Sequence, residues 1–388
     1  MEFEISFQES NPGHKEAVVI ERREQGPSPE TPSETSRASI RGRVDRRAKP
    51  SFRRLDIGSI DPQELDSYAD RIVYQTLPWI KFIAQTQHAE PVLAALSLHD
   101  ETLGYFTGLI VKKFGFKILG SPFPGWNTPY MGFNLRPDVT RSLAAEALVD
   151  FAFDHLKCHH IELMDRYMVP EDYSHLGFET SMFDSFELDL SLTEDELWRN
   201  MRKDCRESIR KAERSEVVVE EAHDIAFADD YYEQLKHVFA VKNSVPPFGV
   251  DRVRQMIAFM EPTGNLLMLR ARNKEGTCIA TSIRPAMNGI VFAWGSASWR
   301  HFSRVKPNEM LQWYAIKYWK ARGMRTFDLV GRGDYKLKYG SHPIVVPWVR
   351  KSRNPGIAFL RFSAEEMFRA AQDTFGKLAH IAESFRKH

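Results

Sequence analysis

The element signals of this chain run through one order twice, and that recurrence limits the fold more than any other feature. A strand signal at 52–57 precedes a helical stretch at 62–85, strand candidates at 91–98, 103–112 and 116–119, and a Gly/Pro/aromatic loop at 120–130. A helix follows with Leu143, Ala147, Leu148, Phe151, Ala152 and Leu156 on one stripe, then a short buried strand at 160–164. The second pass has a strand at 217–221, helices at 229–243 and 250–260, and a strand at 266–272. A hairpin, 278–286 with 290–297, turns through Asn288-Gly289, the dipeptide that suits a turn with two positive φ angles. A helix at 308–322 stops at Gly323, a strand at 326–330 closes the pass, and a further strand is expected at 344–349. Pro137 followed by Ile161-Glu-Leu in the first pass parallels Pro307 followed by Phe327-Asp-Leu in the second. The pattern predicts an α/β protein of two tandem units, residues 51–189 and 190–353, each a mixed, mostly antiparallel sheet flanked by helices.

The 388 residues supply both cores, with 26 Phe and 8 Trp. The flanks read differently. Residues 1–50 are polar, then basic, with eight Arg or Lys against one Asp between 37 and 54, and are expected to be a disordered tail. Residues 354–388 are expected to carry an amphipathic helix opened by a capping box at Ser363-Ala-Glu-Glu366. A net charge of +1 offers no global attraction to nucleic acid or membrane. Cys158, Cys205 and Cys278 stand singly, which argues against a zinc site and for a reducing compartment. No leader-like start and no 18-residue apolar run occur, so the expectation is a cytoplasmic protein without integral membrane contact.

Two segments are more specific. The first is Leu197-Trp-Arg-Asn-Met-Arg-Lys-Asp-Cys-Arg-Glu-Ser-Ile-Arg-Lys-Ala-Glu-Arg214, followed by the strand Val217-Val-Val-Glu220. The second is Phe327-Asp-Leu-Val-Gly-Arg-Gly-Asp-Tyr-Lys-Leu-Lys-Tyr-Gly340. In this order they resemble the second domain of FemAB-like and CelD-like proteins of the GNAT superfamily. The likeness covers residues 190–350 well and residues 52–188 by element order. It implies tandem GNAT-like domains and acyl transfer to an amine- or hydroxyl-bearing cell-envelope or exopolysaccharide precursor. No permanently bound cofactor is implied; acyl-CoA, acetyl-CoA in the first instance, is the expected co-substrate. Two alternatives stand beside this reading. One is an aminoacyl-tRNA-dependent transferase of the peptidoglycan-bridge type, with tRNA as partner. The other is a catalytically inactive binding protein of a polysaccharide synthesis complex.

Candidate site residues follow from chemistry and from the resemblance together. In GNAT enzymes the strand ending at Trp294-Gly-Ser-Ala-Ser298 polarises the acyl carbonyl, and the next helix N-terminus takes a pyrophosphate. That assigns donor binding to Gly295, Ser296, Arg304, Lys306 and Asn308, because first-turn N–H groups lack intrahelical partners. The family's Gly-rich phosphate loop is absent from Trp299-Arg-His-Phe-Ser-Arg-Val-Lys-Pro-Asn308. In the turn Gly331-Arg-Gly-Asp-Tyr-Lys336, Asp334 or Asp328 is a candidate proton acceptor, Tyr335 a proton donor, and Lys336, at a partly exposed mouth, an electrostatic stabiliser. One continuous helix is expected to put Leu197, Met201, Cys205, Ile209 and Ala212 on its apolar arc. Arg199, Arg202, Arg206, Arg210 and Arg214 then form an opposite stripe, read equally as a phosphate contact and as a solvated face. Arg206 and Arg210 are the substrate-binding candidates there. Trp126 and Tyr130 are aromatic candidates for a sugar or base, or else a plug over a core. No metal spacing is present.

Overall fold

The computed structural model describes residues 49–113, 115–241 and 244–359. Most of the tail at 1–50 and of the helix at 354–388 therefore lies outside the described residues.

In chain order the elements are β1 (Ser51–Leu55), α1 (Pro62–Asp66), α2 (Leu77–Gln87), β2 (Glu90–Leu98), β3 (Glu101–Lys113), β4 (Phe116–Ser121) and β5 (Gly132–Leu135). Next come α3 (Arg141–Asp150), β6 (His160–Leu163), β7 (Glu179–Asp189), α4 (Glu194–Asn200), α5 (Lys203–Arg214), β8 (Val218–Glu221), α6 (Phe227–Ala240) and α7 (Val250–Met260). The chain continues through β9 (Leu266–Arg272), β10 (Cys278–Met287), β11 (Ile290–Phe292), β12 (Gly295–Ser298), α8 (Pro307–Ala321), β13 (Thr326–Asp328), a 3-10 turn at Asp334–Tyr339 and β14 (His342–Ser352).

All fourteen described strands join one sheet, in the order β1-β2-β3-β4-β6-β14-β7-β13-β11-β10-β9-β8, with β5 on β3 and β12 on β10. Pairing is antiparallel except for β4 with β6 and β11 with β13. Those two parallel pairs sit at equivalent places in the two passes, and each needs the crossover helix that the sequence supplies, α3 in one and α8 in the other. The fold is tandem and α/β as expected.

The centre of the sheet is built by exchange. β7, which follows the first pass, pairs with β13 of the second, Thr326 opposite Asp189. β14, which follows the second pass, pairs with β6 of the first, Val349 opposite Leu163, and lies along β7 from His342 to Arg350. Each half-sheet thus ends in a strand that follows the other half in sequence.

Three large clusters fill the interior. One lies under α3 and holds Phe52, Phe106, Phe133, Phe151 and Ile161. A second lies under α5 and α8 and holds Leu197, Ile209, Leu311, Ile316 and Phe327. The third bridges the halves, joining Tyr74, Trp79 and Phe82 around α2 to Tyr231, Met256, Phe292 and Trp294. Each fully buried side chain of this kind contributes about 1.5–3 kcal/mol relative to exposure. A bridging core of this size holds the two halves as one body.

Candidate active site

In the second half, β10 carries two partners in succession: Ala286 and Met287 face β11, while Ala280 to Ile283 face β12. Between them the chain bulges. The Ala293 amide donates to the Asp328 carbonyl at 2.8 Å, the last bond toward β13, and the Trp294 amide turns back to the Phe292 carbonyl at 3.0 Å. β12 then pairs with β10 alone, which leaves a gap between β12 and the chain leaving β13. Gly295 stands at this junction, where a Cβ would come within 2.5 Å of the Tyr231 hydroxyl. Ser296 beside it is exposed.

The segment after β12 leads into α8. Lys306 is the N-cap residue, with φ of 60°, and Pro307 takes the first helical position. No side chain caps this helix, so its first-turn N–H groups remain available to an anion. Asn308 donates to the Ser298 hydroxyl at 3.0 Å, tying the helix start to the end of β12. Arg304 is exposed and Lys306 half-buried beside it.

The same junction in the first half is closed. β3 carries β4 and β5 just as β10 carries β11 and β12, but ten residues, 122–131, separate the two strands. The Phe133 amide on β5 donates to the Asp165 carboxylate at 2.9 Å, and Arg141 at the start of α3 donates to the same carboxylate at 2.8 Å. Thr140 caps α3. Aligning Ile161-Glu-Leu with Phe327-Asp-Leu puts Gly331 at the place of Asp165, so the second half lacks the carboxylate that stitches the first.

Beyond β13 the turn is tightly held. The Asp328 carboxylate is fully buried and accepts from Arg166 at 2.7 Å, Ser185 at 2.5 Å and the Val330 amide at 2.8 Å. Val330 has φ of 45°, a conformation that a β-branched residue adopts only when its surroundings enforce it. The Lys336 ammonium donates to the carbonyls of Val330 and Gly331. Lys336 is 5% exposed, which corrects the expectation of a partly exposed position: the 3-10 turn folds its side chain back under 330–331 rather than outward. Burial lowers its pKa to about 8, with Asp328 opposing the shift. Asp334 and Tyr335 are exposed, Tyr335 at 65%. Near Asp328 the Tyr74 and Tyr130 phenols are pushed well above their usual pKa, by burial first and then by the Asp328 charge.

The helix expected through 197–214 is two helices. Its capping box at Thr193 and Glu196 forms, but Met201 and Arg202 are extended, and α5 restarts at Lys203. All five residues of the apolar arc are buried regardless. The break changes the arginine stripe. Arg206 turns its guanidinium onto the carbonyls of Trp198, Arg199 and Met201, the ones that α4 leaves unpaired at its end. Arg210 is exposed and lies 5.4 Å from the Trp198 ring centroid. Trp126 is half-buried against Phe123 and accepts from Arg252 through its carbonyl. Tyr130 is fully buried against Phe183 and Phe292. Burial pushes the thiols of Cys158, Cys205 and Cys278 up to about 11, which disfavours a thiolate nucleophile.

Two residues of the second half escape sequence reasoning. Arg284 on β10 and Gln312 on α8 are buried and meet at 3.2 Å beneath β12. Both lie in runs that read as apolar core, and nothing local marks them.

Residues 199–339 match the family described as Acetyltransferase (GNAT) domain. No curated protein matches the sequence. The fold is similar to that of FemX, with a TM-score of 0.63 and 13% identity over 76% of this chain and 96% of FemX. It is also similar to L-PGS from Bacillus licheniformis, at 0.50 and 12% over 80% of this chain and 97% of that one. A conserved protein of unknown function from Bacteroides thetaiotaomicron gives 0.52 and 9% over 78% and 99%. Likeness at these identities is one of fold. No described helix is long and apolar enough to cross a membrane.

Proposed function

We propose that this chain, a FemAB-like protein of the GNAT superfamily with tandem GNAT architecture, transfers an acyl group in its second half. The donor is an acyl-CoA, and the acceptor is an amine- or hydroxyl-bearing cell-envelope or exopolysaccharide precursor. The observation that carries the reading is the uncapped start of α8 at the end of the splayed strand β12, beside a first-half junction that is sealed by Asp165 and Thr140.

In this reading the pyrophosphate of the donor rests on the α8 N-terminus, with Arg304, Lys306 and Asn308 around it. The acyl carbonyl reaches Gly295 and Ser296. The acceptor nitrogen or oxygen attacks it directly, with no covalent enzyme intermediate: the new C–N or C–O bond forms first and gives a tetrahedral intermediate, which collapses as the C–S bond breaks. Lys336 stabilises the negative charge of the tetrahedral intermediate. The acceptor's proton leaves toward Asp334, which is exposed, because the Asp328 oxygens already receive three donors. Tyr335 supplies the proton to the departing thiolate.

A second reading, aminoacyl-tRNA as donor, draws on one observation. Lys203, Arg210, Lys211 and Arg214 are exposed on α5, which packs against α8 and the segment that precedes it. Binding of acetyl-CoA, longer acyl-CoAs and charged tRNA, followed by calorimetry, separates the two. Arg304→Glu with Lys306→Glu should weaken the true donor by about 1.5–3 kcal/mol for each charge-assisted hydrogen bond removed. Unchanged donor affinity in the folded double variant removes the α8 site from the reading.

A further inference from the structure

The deeply placed arginines of this protein fall into two groups. Arg71, Arg141, Arg166 and Arg270 each meet at least one carboxylate at 2.7–2.8 Å. Arg252, 8% exposed, meets none; it lies against the Phe82 and Phe248 rings and donates to the Trp126 carbonyl. Arg284, 4% exposed, meets none either. Its guanidinium donates to the carbonyls of Ile283 and Gly295, to the Ser296 hydroxyl at 2.8 Å and to Gln312 Oε1 at 3.2 Å. The charged neighbours of an ordinary buried arginine are replaced here by the phenols of Tyr339, Tyr231, Tyr335 and Tyr74. A guanidinium taken out of water without a counter-charge is costly, and burial lowers the pKa of Arg284 to about 10.

Unused donors accompany the unused charge. Arg284 Nε and Gln312 Nε2 are both buried without a hydrogen-bond partner, on two side chains that already touch. Ser282, two residues before Arg284 and on the same face of β10, has a buried hydroxyl in the same condition. Ser296, which Arg284 touches, is exposed, so the group lies one side chain below the surface of the splayed strand.

We propose that Arg284 and Gln312 form a binding site for a carboxylate of the substrate, placed beneath β12 in the transfer half. One uncompensated positive charge matches one carboxylate. Two free N–H donors, on side chains that touch, match its oxygens, whereas a phosphate would call for more donors and more charge than the site leaves open. The substrate class is thereby narrowed to a carboxylate-bearing acceptor or a dicarboxylic acyl group. Only the question of which molecule owns the carboxylate rests on the acyl-transfer reading; the site itself does not.

The test is anion-dependent melting of the full chain at constant ionic strength, with succinate, acetate and inorganic phosphate as probes. Succinate and acetate should raise the wild-type Tm above matched chloride. Arg284→Gln should need about tenfold more carboxylate or higher for the same shift, the weakening expected when one charge-assisted pair is removed. Gln312→Leu removes the second donor, keeps the cation and should also weaken the response; it decides the matter if Arg284→Gln does not fold. No carboxylate response in the wild type, an equal response in the variants, or an Arg284-dependent response to phosphate alone overturns the proposal. Tighter binding of malonyl-CoA than of acetyl-CoA, abolished in Arg284→Gln, puts the carboxylate on the acyl group; equal binding with the succinate response intact puts it on the acceptor. A carboxylate response without any acyl-CoA binding would sink the donor assignment and leave this site standing.

Discussion

Lys336 holds two backbone carbonyls with a buried ammonium, and its protonation links the shape of the turn to pH. Its pKa of about 8 in the folded chain lies below the usual 10.5, so the unfolded chain binds one more proton between those values. Stability contributed by this residue therefore rises as pH climbs from about 8 to 10.5, and its burial penalty is constant below 8. Urea unfolding of wild type and Lys336→Met at pH 7 and pH 10 should show the difference moving in favour of the wild type at the higher pH. In the proposed mechanism transfer should run the other way, since there the charged form stabilises the intermediate. Lys336→Met should lower turnover about a hundredfold or more, and wild-type turnover should fall above about pH 8. Near-wild-type turnover of Lys336→Met would show that the ammonium serves only to hold Val330 and Gly331. The sequence singled out Lys336 by its motif but carried no sign of its burial, because a short turn buries a side chain through neighbours distant in the chain. Arg284 was harder still, since a lone Arg between Ile283 and Pro285 looks like any strand residue.

At the scale of elements, local signals were readable where the cause was local. The hairpin at Asn288-Gly289 forms, with φ of 47° and 84°. The helix expected at 250–260 and the strand expected at 266–272 have those bounds. The break between α4 and α5 was hidden because the apolar arc continues through it. Leu197, Met201 and Cys205 stay buried whether or not the helix does, so periodicity alone could not reveal a stop. The long strand expected at 290–297 is likewise two strands, and the bulge at Ala293–Trp294 arises from the Asp328 carbonyl of another strand. Arg206 provides the test at this scale. Arg206→Ala removes a charged donor from carbonyls at the end of α4 and should cost about 1.5–3 kcal/mol in urea unfolding. Arg210→Ala gives up only an exposed cation–ring interaction with Trp198 and should cost about 0.5–1 kcal/mol. Equal costs would mean that the guanidinium of Arg206 does not cap α4.

For the molecule as a whole, the repeated order was legible and the joining of the repeats was not. β7 produced no period that stood out, and its partners lie more than a hundred residues away at β13 and β14. The bridging core and the exchanged strands predict a single cooperative melting transition for residues 49–359 in calorimetry. Two separated transitions would show that the halves are energetically independent. The exchange also bears on how the protein is made. While the ribosome is still translating the second half, β6 has no neighbour on its β14 side and β7 has neither of its partners. The first half must wait with an open sheet edge until residue 352 has cleared the exit tunnel, long after its own last residue was synthesised. A nascent chain in that condition is open to pairing with other chains, and it has reason to need a chaperone until β14 arrives.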